Sequence, residues 1–193
     1  MKKDIVDILL RGGVGVLPTD TIYGIVGLAL SKKAVARIYK LRKRNPKKPL
    51  IILISSLRDL KLFDIILNRE TKKLLEKLWP GKVSVILPCR NKKFAYLHRG
   101  TKTLAFRLPK KRELTGLLKK AGPLVAPSAN WEGHPPAKTA KAAKKYFGNK
   151  IDFYIDAGKL ESLPSTLIEI KNGKINILRA GGGKIFTFSK NRV

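Results

Sequence analysis

The sequence predicts an α/β fold built on a mixed β-sheet, and three observations support this prediction. Short apolar runs alternate with segments of helical apolar spacing along the chain. Residues 50–54 (LIILI) form a continuous apolar run, which is typical of a strand buried on both faces, as in a parallel sheet. Residues 171–173 (KNG) join two strand-like segments, and Asn-Gly predicts a tight turn between antiparallel strands.

Helices are predicted from apolar spacing and from start and stop signals. The segment MKKDIVDILLRGG carries Ile5, Ile8 and Leu9 on one side with charged residues between them, which indicates an amphipathic helix and not a secretory signal. Ser31 can cap a second helix. Three further helices are predicted: one ending near residues 79–81 (WPG), one at 112–120 and one at 138–147. Strands are predicted at residues 14–17, 24–30, 50–54, 83–87, 103–108, 124–126, 153–156, 166–170 and 174–178.

Composition limits the class of protein. A chain of 193 residues suits one domain covering residues 1–193, and a hydrophobic fraction of 44% is enough to build a core. No apolar run approaches the roughly 18 residues needed to span a bilayer, so no membrane association is expected. The single cysteine, Cys89, excludes an internal disulfide framework and a thiolate metal cluster. We therefore expect a cytoplasmic protein.

The net charge is the unusual feature of the composition. The chain has 42 Lys and Arg against 13 Asp and Glu, which gives a formal charge of +29. A field of this sign attracts polyanions such as nucleotides and RNA. The alternative is a set of solvated faces, because clusters such as Lys119-Lys120 and Lys144-Lys145 fall on helix faces predicted to be exposed. Charge alone does not separate these two interpretations.

Polar residues at the ends of predicted strands are the first candidate site residues. Residues 18–24 (PTDTIYG) place two hydroxyls, a carboxylate and a phenol in the connection between the first two strands. Residues 127–130 (PSAN) follow a short apolar strand in a similar way. Each segment could be a capped turn only, and the functional alternative is that the side chains face a small polar ligand.

Basic residues in the same parts of the chain favour an anionic ligand. Residues 42–48 (RKRNPKK) carry five cations directly before a buried strand, where a triphosphate would explain them better than a helix dipole alone. Arg107 lies between apolar neighbours, so we expect it to be partly buried, with either a structural carboxylate or a ligand carboxylate as its partner. Arg179, at the end of the last hairpin, leaves the same two alternatives open.

Other common kinds of site are absent from the sequence. The two histidines, His98 and His134, show no metal-ligand spacing, and nothing indicates a histidine-based triad. Residues 181–184 (GGGK) lack the glycine spacing and the following Ser or Thr of a phosphate loop. No metal ligand is assigned.

Seven motifs, in order, resemble the threonylcarbamoyl-AMP synthase family, which is built on the YrdC-like domain. The match spans about residues 11–181, and together the seven motifs are far more specific than any one of them. They are PTDTIYG at 18–24, Arg42-x-Arg44 before Pro49-Leu50, WPG at 79–81, LAFRLP at 104–109, PSAN at 127–130, PST at 164–166 and LRAG at 178–181. The resemblance implies a single-domain, YrdC-like twisted mixed sheet flanked by helices, with a concave basic cleft.

The resemblance also implies a reaction. Family members make threonylcarbamoyl-AMP and diphosphate from L-threonine, bicarbonate or CO2, and ATP with Mg2+. The product serves the N6-threonylcarbamoyladenosine (t6A) modification of tRNA, so the expected partners include the enzymes that transfer the threonylcarbamoyl group. The chemistry would be nucleotidyl transfer, which can depend mostly on positioning and charge stabilisation.

Site residues carry over from the family motif by motif. Arg42 and Arg44 would be the catalytic residues, because they would stabilise the leaving diphosphate. Arg107 would hold the carboxylate of threonine. The full threonine set is Thr21, Arg107, Ser128 and Ser165, and the ATP set is Arg44, Lys48, Thr103, Asn130, Lys138 and Arg179.

The chain departs from the family pattern at several positions. The family's Lys-x-Arg pair begins with Arg42 in this chain, and Asn45 replaces the proline that follows the pair. Leu53 stands where a histidine is common, and Glu132 stands where serine often precedes the glycine after PSAN. Ala180 replaces the proline of the terminal RPG motif.

Two other functions remain open at this point. The first is a non-enzymatic module that binds double-stranded RNA or tRNA, for which a charge of +29 is suitable. An aromatic fraction of 7% does not favour stacking on single strands. The second is a relative that adenylates carbamoyl groups without threonine.

Overall fold

The framework of the protein is a nine-stranded mixed sheet, seen in a computed structural model that describes residues 2–171 and 174–185. In chain order the strands are β1 (Gly15–Pro18), β2 (Tyr23–Leu28), β3 (Ile51–Leu53), β4 (Val83–Pro88), β5 (Thr103–Arg107), β6 (Leu124–Val125), β7 (Phe153–Tyr154), β8 (Thr166–Lys171) and β9 (Lys174–Arg179). Their order across the sheet is β7-β1-β2-β6-β3-β5-β4-β8-β9. The pairs β1/β7, β3/β5 and β4/β8 are parallel, and the other pairs are antiparallel.

Six α-helices lie within the described ranges. They are α1 (Lys2–Leu10), α2 (Lys32–Leu41), α3 (Arg69–Leu78), α4 (Ala95–His98), α5 (Arg112–Ala121) and α6 (Ala140–Phe147). Short 3-10 segments cover Leu57–Phe63, Lys92–Phe94 and Gly148–Lys150. Among these helices, none is both long enough and apolar enough to cross a bilayer.

Successive residues of the central strands point to opposite faces and build two apolar clusters. Val16 and Ile52 belong to the larger cluster, which also includes side chains of α2 and α6. Their neighbours Leu17 and Leu53 belong to the smaller cluster, which α1 and α5 cover with Leu9, Leu114 and Leu118. The sheet is therefore flanked by helices on both faces.

The observed elements confirm the predicted fold class and most of the predicted elements. Ser31 caps α2, since its Oγ accepts the Ala34 N–H at 3.2 Å. The predicted helix 138–147 is wrong at its start, because the Thr139 side chain caps α6 and Lys138 lies before the helix. The pairing of β8 with β9 confirms the antiparallel hairpin, whose Asn172-Gly173 turn lies outside the described residues. The assignment of residues 1–193 to one domain stays a prediction.

Strand pairing brings the motif segments together. The Ile25 N–H donates to Pro127 O at 3.0 Å, and an isolated bridge joins Gly24 to Ser128, so residues 127–130 lie beside the start of β2. At β3, the Ile54 N–H donates to Arg107 O at 3.0 Å. Segments far apart in sequence therefore meet over the same part of the sheet.

Candidate active site

A cavity of about 430 Å3 lies where these segments meet. One part of its wall comes from the β1–β2 connection and the segments after α2 and β6. The other part comes from both ends of β5, the start of β8 and the end of β9. Of the eleven predicted site residues, eight line it: Thr21, Arg42, Arg44, Thr103, Arg107, Ser128, Ser165 and Arg179. This volume lies within the range typical of small-molecule sites.

The β1–β2 connection holds two threonine hydroxyls against each other. Thr19 Oγ1 donates to Ile22 O at 2.7 Å and lies 3.0 Å from Thr21 Oγ1. The Thr21 N–H donates to Thr19 Oγ1 at 3.1 Å, and both side chains are buried. The turn is therefore a capped turn as well as a wall of the cavity, so both interpretations of this segment apply.

Arg107 forms a buried ion pair with Asp20. Its Nη1 donates to Asp20 Oδ1, and the two side chains are 4% and 7% exposed. Burial lowers the pKa of Arg107, against the opposing effect of Asp20, and the nearby Arg179 lowers it further. Nε of Arg107 is buried and makes no hydrogen bond to any described residue. The structural carboxylate predicted as one alternative is thus present, and Arg107 still reaches the cavity.

Arg42 links the end of α2 to residues 128–130. Its Nε donates to Ser128 O at 2.8 Å and to Asn130 O at 3.1 Å, and its Nη2 donates to Ser128 Oγ at 3.1 Å. Burial, and next the repulsion from Arg44, lower the pKa of Arg42 to about 10. Nη1 is buried and finds no acceptor in the described part of the protein.

Arg44 is held by main-chain oxygens. Its Nε donates to Lys48 O at 3.2 Å and its Nη2 donates to Pro49 O at 3.0 Å. Its Nη1 lies 4.0 Å from Oε1 of Glu132. Arg42 and Arg44 therefore both line the cavity, and in each of them Nε and Nη2 are hydrogen-bonded to oxygens of the protein.

Arg179 is attached to the start of β8. Its Nη2 donates to Ser165 O at 2.8 Å and lies 3.3 Å from Ser165 Oγ, while the Ser165 and Ser84 hydroxyls are 2.8 Å apart. Partial desolvation, and then repulsion from Arg44, lower the pKa of Arg179.

The electrostatics of the cavity favour an anionic ligand. Repulsion couples Arg42 with Arg44, Arg44 with Arg179, and Arg179 with Arg107. Asp20 lies against Arg107, and Glu132 lies beside Arg44. A ligand with several anionic oxygens would relieve this repulsion, because Arg guanidinium groups pair with carboxylates and phosphates.

Three predicted site residues do not line the cavity. The Nδ2 group of Asn130 donates to Trp131 O at 2.6 Å and to His134 O at 2.7 Å, so this amide shapes the loop behind Arg42. Nζ of Lys48 donates to Glu132 Oε1 at 2.8 Å from a side chain that is 60% exposed. Lys138 is exposed. Leu53, which replaces the family histidine, is fully buried in the cluster under α1 and α5.

Sequence reasoning missed three residues near the cavity. Thr19 and Thr101 line it, and Glu132 joins the loop after residues 127–130 to residues 44–48. Thr19 stood within a quoted motif, so its hydroxyl could have been included. The contacts of Glu132 depend on the approach of segments more than eighty residues apart, which no local pattern shows.

The donor set of the site is basic and hydroxylic. Within the described residues there is no group of three or more His, Cys, Asp or Glu that could hold a metal ion. A Mg2+ ion that arrives with a nucleotide is held mainly by phosphate oxygens and water, so it does not require such a group.

Comparisons with known proteins agree with this geometry. The Sua5/YciO/YrdC family model, described as telomere recombination, matches residues 7–181. Threonylcarbamoyl-AMP synthase of Thiobacillus denitrificans is 32% identical over 86% of this chain and 89% of its own length. The Pyrococcus abyssi protein of the same name is 32% identical over 89% of this chain, but the match covers 51% of its own length.

A solved structure shows the same fold. The crystal structure of P. abyssi Sua5 complexed with L-threonine aligns with a TM-score of 0.86 at 30% identity, over 94% of this chain and 54% of that one. The chain thus spans about half the length of the P. abyssi protein. With a family model matched over most of its length and a cavity lined by residues of six of the seven ordered motifs, the chain belongs to the Sua5/YciO/YrdC family.

Proposed function

We propose that this chain is an L-threonylcarbamoyladenylate synthase, a nucleotidyltransferase that makes threonylcarbamoyl-AMP and diphosphate from L-threonine, bicarbonate or CO2, and ATP. The observation that carries the proposal is the convergence of four guanidinium groups and several hydroxyls in one cavity. The names of the relatives and the L-threonine in the related Sua5 structure support it.

Threonine would bind at the Arg107 side of the cavity. Its carboxylate would accept from Arg107, which Asp20 holds by a buried ion pair. Hydroxyls of Thr21, Ser128 and Ser165 would supply the short-range hydrogen bonds that fix the amino acid. Asp20 accepts from Nη1 of Arg107, and the forked guanidinium would donate to the threonine carboxylate through its other terminal nitrogen.

The nucleotide phosphates would bind at the Arg42–Arg44 side. The amine of threonine would add to CO2, which bicarbonate supplies with loss of water, and would lose a proton to give a carbamate. An oxygen of this carbamate would attack the α-phosphorus of ATP, and the bond from that phosphorus to the bridging oxygen would break, so that diphosphate leaves. Arg42 and Arg44 would stabilise the negative charge on the leaving group. Hydrogen bonds from Nε of each arginine to main-chain oxygens already hold the guanidinium groups in place, so little reorganisation is needed during the reaction. Thr103 and Arg179 would bind the nucleotide from the opposite wall.

Partners follow from the product. Threonylcarbamoyl-AMP is an activated mixed anhydride, so a transferase that carries the group to tRNA would consume it. Mg2+ would accompany ATP and would neutralise part of the phosphate charge. A cytoplasmic location and direct contact with tRNA or double-stranded RNA remain predictions.

Diphosphate release from ATP tests the proposal. We expect release that requires both L-threonine and bicarbonate, with threonylcarbamoyl-AMP detected by mass spectrometry. Release without threonine would favour adenylation of carbamoyl groups instead. Salt-sensitive binding of duplex RNA without any turnover would favour the non-enzymatic module.

A further inference from the structure

Glu132 connects two loops that border the cavity. Its Oε2 accepts the Asn45 N–H at 2.5 Å, and its Oε1 accepts from Nζ of Lys48 at 2.8 Å. The same Oε1 lies 4.0 Å from Nη1 of Arg44. One carboxylate thus contacts a backbone amide and two cations within residues 44–48.

The residues around Glu132 reinforce this connection. Its own N–H donates to Arg42 O at 2.9 Å. The preceding Trp131 lies under Lys43, with Nζ 3.8 Å from the ring centroid. Arg42, Lys43 and Asn45 therefore each contact Trp131 or Glu132 directly. Arg44 lies at a longer distance from Glu132.

The connection acts from outside the cavity. Arg42 and Arg44 line the cavity, whereas Glu132 does not. Hydrogen bonds from Lys48 and from the Asn45 N–H lower the pKa of Glu132, so the carboxylate is ionised at neutral pH. A group in this place would not touch the reacting atoms, but it can fix the segment that does.

We propose that Glu132 is a positioning residue that holds residues 42–48 in the conformation in which Arg42 and Arg44 present their guanidinium groups to the nucleotide phosphates. The inference rests on the proposed function, because it concerns the same cavity. It concerns this chain in particular, since Glu132 stands where the sequence motifs often have serine.

Simple electrostatics and loss of positioning predict opposite changes in ATP binding when Glu132 is removed. A carboxylate 4.0 Å from Arg44 lowers the positive potential that attracts ATP, so its loss alone would tighten nucleotide binding. Loss of positioning would weaken binding instead, because the two arginines would have to be ordered when ATP binds. The sign of the change therefore separates the two roles.

Three variants make the test: Glu132→Ala, Glu132→Gln and the control Glu76→Gln. The control removes an exposed carboxylate of α3 that pairs with Lys72 at 3.9 Å. Gln keeps an oxygen that can accept the Asn45 N–H, whereas Ala keeps none. We expect the KM for ATP to rise about tenfold in Glu132→Ala and less in Glu132→Gln, with the KM for threonine within about twofold.

The proposal is overturned if the KM for ATP is unchanged or falls, or if Gln and Ala behave alike. Near-ultraviolet circular dichroism of each variant checks that the fold is kept, and equilibrium binding of ATP gives a readout independent of turnover. If the wild type binds ATP but releases no diphosphate, the proposed function fails, and the order of ATP affinities among the variants still tests Glu132.

Discussion

Nη1 of Arg107 donates to Oδ1 of Asp20, and this pair joins the end of β5 to the turn between β1 and β2. Both side chains are less than a tenth exposed. A buried arginine with a single carboxylate partner depends on that partner for its position and for most of its compensation. Asp20 is therefore a structural requirement for the wall of the cavity that Arg107 forms.

Replacing Asp20 should destabilise the fold. Asp20→Asn leaves the buried charge of Arg107 uncompensated, and we expect the free energy of unfolding to fall by about 3 kcal/mol or more. Urea denaturation measures this change. The matched control is Glu161→Gln in the exposed pair with Lys159, where the loss should not exceed about 1 kcal/mol. Equal losses in the two variants would contradict the structural importance of the buried pair.

Replacing Arg44 should remove most of the activity. Arg44→Ala takes away a guanidinium that two carbonyl groups hold at the cavity wall, and we expect kcat/KM for diphosphate release to fall about a hundredfold. Arg44→Lys should recover only part of it, because an ammonium cannot donate to both carbonyls and to a phosphate in the same geometry. Lys144→Ala, an exposed change on α6, should stay within about twofold. Equal, small effects would remove Arg44 from the proposed mechanism.

Gly181 should not tolerate a side chain. A Cβ atom at this position would lie 2.6 Å from both Ser165 C and Thr166 N, so the strand end that carries Arg179 would have to move. We expect Gly181→Ala to lower the affinity for ATP. Gly116→Ala is the matched control, since its Cβ would meet nothing within 4 Å. Within α5 this change should stabilise the fold by about 0.5–1 kcal/mol. Equilibrium binding of ATP measures this change. Unchanged affinity in Gly181→Ala would contradict the prediction, because it would show that the backbone of residues 164–166 makes room for the Cβ atom without displacing Arg179.

The pair of Asp152 with Arg37 should make stability depend on pH. Burial alone would raise the pKa of Asp152, but hydrogen bonds from Arg37 and from the Val14 N–H outweigh it and lower the pKa. A carboxylate with a depressed pKa stabilises the fold above its unfolded pKa of about 3.9 and loses this contribution as the pH falls through its folded pKa. The difference in unfolding free energy between wild type and Asp152→Asn should therefore shrink from pH 7 to pH 3. A constant difference would assign the effect to packing.

Local patterns in the sequence were sufficient for most of the fold. The Ser31 cap and the apolar spacing after it mark α2, and the proline and glycine after Trp79 mark the end of α3. The 3-10 segment Leu57–Phe63 was missed, because its hydrogen bonds repeat every three residues and its apolar residues do not follow the helical pattern. The order of strands across the sheet was not predicted, since it depends on pairings such as β4 with β8 that no local pattern encodes.

The site was predictable to the extent that its residues stand in motifs. Arg107 was assigned to a carboxylate of the protein or of a ligand, and the structure shows Asp20 in the first role. Asn130 was assigned to ATP binding by resemblance, and in the structure the Nδ2 group of its side chain donates to main-chain oxygens of its own loop. Such distinctions depend on which atoms remain free after folding, and this information appears only in three dimensions.

The position of β9 at the outer end of the sheet has a consequence for local stability. Within the described residues β9 is paired with β8 alone, and outermost strands open at a lower free energy than central ones, as amide hydrogen exchange shows in other proteins. Arg179 ends this strand, whereas Arg107 ends the central strand β5. We therefore expect amide hydrogens near Arg179 to exchange faster than those near Arg107, so that the two sides of the cavity differ in local stability.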